Sequence, residues 1–125
     1  MRLIIAGGRH HTLTEKNILE LNKIQGISSV VSGGAKGIDA DGESWAKSHN
    51  IPVQRFNANW SDHGKMAGPL RNKAMAANAD ALAIFSGGKG TDSMYKEAKK
   101  AGLKIYDFRH HAQLTLNFDG DNNDL

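Results

Sequence analysis

The 125-residue chain has no cysteine, which excludes disulfides and thiolate metal ligands. No apolar run approaches the ~20 residues that a membrane-spanning helix needs. The first residues pattern as a strand, not as a signal peptide, so a soluble cytoplasmic chain with no membrane partner is expected. Aromatic residues make up 6%, with two tryptophans, and there are two prolines. Cations are absent beyond Arg109, whereas Asp119, Asp121 and Asp124 fall in that last stretch, so residues 1–118 hold all 16 cations and 10 of the 13 carboxylates. A basic body suits an anionic ligand. Its cations are dispersed, which favours a small anion over direct nucleic-acid binding.

What the chain has in quantity is glycine, 14 residues, much of it at three corners. The first is Gly7-Gly8-Arg9, the second Gly33-Gly34-Ala35-Lys36-Gly37 ahead of Asp39, and the third Ser86-Gly87-Gly88-Lys89-Gly90-Thr91. The third joins a buried-strand pattern, Ala81 to Phe85, to an amphipathic helix with Met94, Tyr95, Ala98 and Ala101 on one stripe, Thr91 as its N-cap and Gly102 as its stop. Glycines before a helix N-terminus let backbone N–H groups approach an anion while the helix dipole favours its charge. The third corner is not a Walker loop, and Ser93 stands where a dinucleotide fingerprint would place its last glycine.

Taken in order, the patterns give strands at Arg2 to Ala6, Ser29 to Ser32, Val53 to Phe56, Ala81 to Phe85 and Lys104 to Asp107. Helices fall between them. The first has Thr14 as N-cap, carries Ile18, Leu21 and Ile24 and stops at Gly26; the second runs from Ile38 to about Asn50; the third starts with Pro69 at its first position, after a connection over Asn57 to Gly68. This alternation predicts one α/β domain over residues 1–109, a parallel five-stranded sheet in the order 3-2-1-4-5 with helices on both faces, and an extension over 110–125 that is mobile from 117. In such a sheet the ends of strands one, two and four meet where doubly wound folds bind ligands, so the three glycine corners should converge on a phosphorylated ligand.

The segments AGGR (Ala6 to Arg9), Val31 to Met75 with its GPLRN run, and SGGKGTDSMYKEAKKAGL (Ser86 to Leu103) resemble the YspA-like group of the SLOG superfamily, Rossmann-like three-layer proteins that also include the LOG enzymes and the DNA-processing protein DprA. The resemblance implies binding of a nucleotide or nucleotide-derived ligand, by a sensor or sequestering module, and a homodimer. LOG-like cleavage of nucleoside 5′-monophosphates and DprA-like single-stranded DNA binding are the alternatives. LOG-type phosphoribohydrolases carry PGGxGTxxE; here Gly87, Gly88, Gly90 and Thr91 match, Ser86 replaces the proline, and Met94 occupies the glutamate position. Without that carboxylate the N-glycosidic bond lacks its expected acid/base group, and Glu97 should point elsewhere. The upstream arginine matches Arg71, with Asn72 intervening before Lys73. No catalytic residue is assigned, and no cofactor is implied.

Other candidates read two ways. Asp39 can accept from ligand hydroxyls or amines, or serve as a first-turn helix acid. Trp60 can stack on a base or wall the core. Arg71 near a helix start opposes the dipole, which points to an anion, whereas Trp45 at helical spacing reads as core. The pairs His10-His11 and His110-His111 point apart and have no third ligand, so no metal is expected. Ala74, Ala76, Ala77 and Ala79 are small enough to let a partner helix approach across a two-fold axis.

Overall fold

The computed structural model describes residues 1–109. The expected extension over 110–125, with His110, His111 and the acidic segment, lies outside them. Five parallel strands, β1 (Arg2–Ala6), β2 (Ser29–Ser32), β3 (Val53–Arg55), β4 (Ala81–Ile84) and β5 (Lys104–Asp107), form one sheet in the order β3-β2-β1-β4-β5. All four pairings are parallel. The helices are α1 (Glu15–Asn22), α2 (Ile38–Ser48), the short α3 (Trp60–His63), α4 (Ala67–Ala77) and α5 (Lys89–Lys100).

Strand alternation sorts the apolar residues onto two faces. Leu3, Ile5, Val30, Ala81 and Ala83 pack with Leu21 of α1 and Ile38, Trp45 and Ala46 of α2. Ile4, Ala6, Val31, Leu82 and Ile84 pack with Met75 and Ala76 of α4 and Met94 and Ala98 of α5. The central strands β1, β2 and β4 are buried almost throughout, as their apolar runs require, while β3 and β5 at the edges are partly exposed. Trp45 is core as expected, its indole N–H donating to Asn22 Oδ1 at 2.9 Å. No helix among the described residues is long and apolar enough to cross a membrane.

Several local expectations are corrected. Thr14 caps α1 and forms a capping box with Asn17, but α1 ends at Asn22, well before Gly26. Tight bonds from Lys23 N to Glu20 O and Ile24 N to Leu21 O close the last turn and turn Ile24 back onto the core. Thr91 is not a cap. The glycine corner itself winds into helix, so Gly88 precedes the first turn of α5 and Thr91 is its third residue, buried. Pro69 is likewise the third residue of α4, not the first, because a 3-10 turn (Gly64–Met66) runs straight into that helix. A proline is tolerated there because first-turn N–H groups have no intrahelical acceptor. The connection from Asn57 to Gly68 is therefore largely helical. Strands β3 and β4 stop one residue short, at Arg55 and Ile84. The alanine row is not an open stripe: Ala76 and Ala79 are buried in the chain's own core and Ala77 is exposed.

Close packing of α2 on the sheet depends on Gly42. A Cβ there would lie 2.8 Å from Ile5 Cγ2 and 3.0 Å from Ile5 Cβ, in a residue with no room to move. Overpacking costs about 1–3 kcal/mol, which outweighs the roughly 0.5–1 kcal/mol that alanine gains over glycine within a helix. Gly42→Ala is therefore expected to lower the melting temperature. A second test concerns the sheet's rim, where Arg2 pairs with Asp80 (Nη2 to Oδ1 3.1 Å) and the Arg2 N–H donates to Asp80 Oδ2 at 2.6 Å. These bonds hold the Asp80 carboxyl down at about 2. A depressed carboxylate stabilises the fold above its unfolded pKa and loses that effect as pH falls through its folded value. Asp80→Asn should thus melt lower than the parent at pH 7, with the difference closing towards pH 2.

Candidate functional site

Strands β1, β2 and β4 end at Ala6, Ser32 and Ile84, and the chain leaves each through a glycine corner. Gly8 ties the three together. Its N–H donates to Ser86 O at 2.8 Å, and its carbonyl accepts from Ile38 N at 3.2 Å and from His11 N at 3.2 Å. Gly8 and Gly87 touch so closely that a Cβ on Gly87 would lie 2.7 Å from Gly8 N. At Gly37 a positive φ of 73° and the adjacent Gly8 carbonyl both demand glycine.

The corners open into a cavity of about 720 Å³ at the carboxyl ends of the strands. Among the expected site residues, Gly7, Gly8, Arg9, Gly33 and Asp39 line it from one side. Gly87, Gly88, Lys89, Gly90 and Thr91 line it at the start of α5, and Trp60, Arg71 and Asn72 complete the expected set in the lining. Gly34, Lys36, Gly37 and Ser86, expected in the site, are not part of the lining. His10, His11, Lys65, Pro69, Met75, Ser93 and Met94 also line it and had no place in the expected set. Trp60 is not a core wall: it is 60% exposed at the mouth. Met94 is buried in the cavity wall, whereas Glu97 lines a separate hollow of about 480 Å³ between α4 and α5 with Lys73 and Lys100.

Two kinds of glycine meet here. A Cβ on Gly7 would strike the branched Ile38 side chain and one on Gly87 the Gly8 backbone, so the fold requires those two, whereas a Cβ on Gly33 would meet the ends of the Arg71 and Asp39 side chains and one on Gly8 the His11 ring. Gly88 and Gly90 differ: no described residue lies within 4 Å of where a Cβ would stand, and neither has a positive φ. Both line the cavity at the N-terminus of α5.

The polar groups are held by partners in the protein. Arg71 donates from Nη1 to Gly33 O at 2.7 Å and from Nε to Asn72 Oδ1 at 2.8 Å. Asn72, buried, donates to Gly90 O at 3.3 Å and to Ser93 Oγ at 3.1 Å, so it clamps α4 to the first turn of α5. Asp39 Oδ2 accepts from Ala35 N at 3.2 Å. Burial raises the Asp39 carboxyl above the usual range, opposed by the Ala35 N–H and the Arg71 charge. Burial lowers Arg71, and Asp39 acts against that shift. Beneath the second corner, buried Glu43 takes Arg55 in a two-pronged pair (Nη2 to Oε1 2.5 Å, Nε to Oε2 3.0 Å) and accepts from Ser32 Oγ at 2.7 Å. Ser32 Oγ in turn accepts from Gly34 N at 3.1 Å. The Arg55 and Ser32 bonds hold Glu43 below the usual carboxylate range against its burial. That support was not read from sequence, where Glu43 is one acid among several on a helix.

The comparisons agree with this architecture. The model of the YspA, cpYpsA-related SLOG family matches residues 1–63, which contain the first two corners and Trp60. The chain is also similar to "Gene 61 protein" of Mycobacterium phage D29, 34% identical over 119 residues that cover 86% of this chain and 95% of the relative. With half the chain matched by the family model and nearly the whole of a relative spanned, the chain belongs to the YspA, cpYpsA-related SLOG family.

Proposed function

We propose that the protein binds a nucleotide or another phosphorylated, nucleotide-derived ligand in the 720 Å³ cavity, as a sensor or sequestering module. The observation that carries this reading is the pair Gly88 and Gly90. No described residue asks for glycine at either position, yet both line the cavity at the N-terminus of α5, where first-turn N–H groups have no intrahelical acceptor. A ligand that must approach the backbone closely is the remaining reason for them, and a phosphate gains most from that approach. Arg71 supplies a charge-assisted contact and exposed Trp60 a flat apolar surface for a base. Family membership is compatible with the reading. A homodimer, as the family resemblance implies, and a cytoplasmic location, as the composition suggests, belong to the same proposal.

The reading disfavours cleavage of the N-glycosidic bond. Met94 lines the cavity where the hydrolases place glutamate, and Glu97 lines the other hollow. Among the described residues Asp39 is the carboxylate that lines this cavity.

Gly88→Val and Gly90→Val are expected to abolish binding with the fold intact, as judged by melting and by calorimetry with the strongest nucleotide from a thermal-shift panel. Arg71→Ala should weaken binding roughly ten- to a hundredfold and also lower stability by about 1 kcal/mol, because its bond to Gly33 O is lost. Variants that bind as the parent does would make the two glycines ordinary turn residues. Incubation with nucleoside 5′-monophosphates should release no free base above background by chromatography. Steady release that vanishes in Asp39→Asn would instead make the protein a hydrolase.

A further inference from the structure

Asp39 and Arg71 stand on either side of Gly33. A Cβ on that glycine would come within 2.9 Å of Asp39 Oδ2 and 2.8 Å of Arg71 Nη1. Opposite charges this near one another commonly close into an ion pair, but these two are not joined in one. Each is tethered elsewhere: Asp39 to the Ala35 and Gly7 N–H groups, Arg71 to the Gly33 carbonyl and Asn72 Oδ1. The tethers leave the guanidinium Nη2 hydrogens and the remaining carboxylate lone pairs without a described protein partner, on residues that both line the cavity. An acceptor and a donor are thus held side by side and apart, with Asp39 only 8% exposed.

The charges decide what fits between them. A phosphate or carboxylate would be repelled by Asp39, and an ammonium group by Arg71. A neutral group that accepts from the guanidinium while donating to the carboxylate satisfies both, and two neighbouring hydroxyls do this best. Position favours a sugar over a base. The Gly7 N–H helps to hold the Asp39 charge, and the next residue, Gly8, abuts Gly87 at the start of the third corner. Asp39, Gly7, Gly8 and Gly87 thus form a run of neighbours from the carboxylate to the third corner, and in a nucleotide whose phosphate sat at that corner the sugar would be the next group along, with the base beyond it and Trp60 in the same lining.

We propose that Asp39 and Arg71 read the vicinal hydroxyls of a ribose, so that the ligand is a ribonucleotide and the site discriminates against deoxyribose. The proposal rests on the cavity being the phosphate-ligand site. Calorimetry of the full-length protein tests it, with the four ribonucleoside 5′-monophosphates and their 2′-deoxy and 2′,3′-dideoxy counterparts. The strongest ribonucleotide is expected to bind roughly ten- to a hundredfold more tightly than its deoxy forms, the worth of a hydrogen bond to a charged group. Asp39→Asn should bring the ratio of ribonucleotide to 2′,3′-dideoxynucleotide affinity close to one, and a ratio as large as the parent's overturns the proposal. Equal binding of ribo and deoxy forms by the parent overturns the proposal alone and means that water bridges the pair, or that a base edge does if affinity follows the base only. Failure of every nucleotide to bind overturns the phosphate reading and this proposal together.

Discussion

The backbone of a single residue, Gly8, is the tie on which the site depends. Its N–H reaches Ser86 at the end of β4, and its carbonyl takes N–H groups from Ile38 at the start of α2 and from His11 in its own loop. Strand pairing sets where β1, β2 and β4 end, but pairing alone does not dictate how three loops leave a sheet. Bonds between the loops do, and they require the chains to meet at backbone distance, which explains why side chains are missing at Gly8, Gly37 and Gly87. The cavity is what remains beside that knot once α4 covers one flank.

Carboxylates near the second corner show how one short helix can hold two acids in opposite conditions. Glu43 is fully engaged by Arg55 and Ser32, and its charge is favoured. Asp39, one turn earlier on α2, is buried with weaker compensation, and its charge is disfavoured. The first arrangement braces a loop. The second keeps a polar group in readiness at the cavity wall, at some expense of stability, as functional sites commonly do.

Much of this was legible in the sequence because parallel strands buried on both faces write themselves as apolar runs such as Leu3-Ile4-Ile5 and Ala81-Leu82-Ala83-Ile84, and glycine corners mark where they end. The strand order and the convergence of the corners followed from that alternation. The failures share a cause. Thr91 is a good cap residue in isolation, but packing against Gly87 and the core draws the preceding residues into helix. Pro69 was misplaced because the 3-10 turn before it carries no hydrophobic period. His10, His11, Lys65 and Ser93 reach the cavity through loop paths and helix orientation that spacing alone does not encode. The role of Asn72, clamping α4 to α5 by side-chain bonds across 18 and 21 residues, could not be read from neighbours in sequence.

The chain has two tryptophans, and their surroundings are opposite. Trp45 is sealed between α2 and the sheet with its indole N–H bonded to Asn22, while Trp60 is largely exposed and lines the cavity. The molecule thereby carries two intrinsic fluorophores with separate duties. One keeps a buried emission until the core is breached, and the other is water-facing and sensitive to whatever covers it, so occupancy and unfolding leave distinguishable optical signatures in the same unlabelled sample.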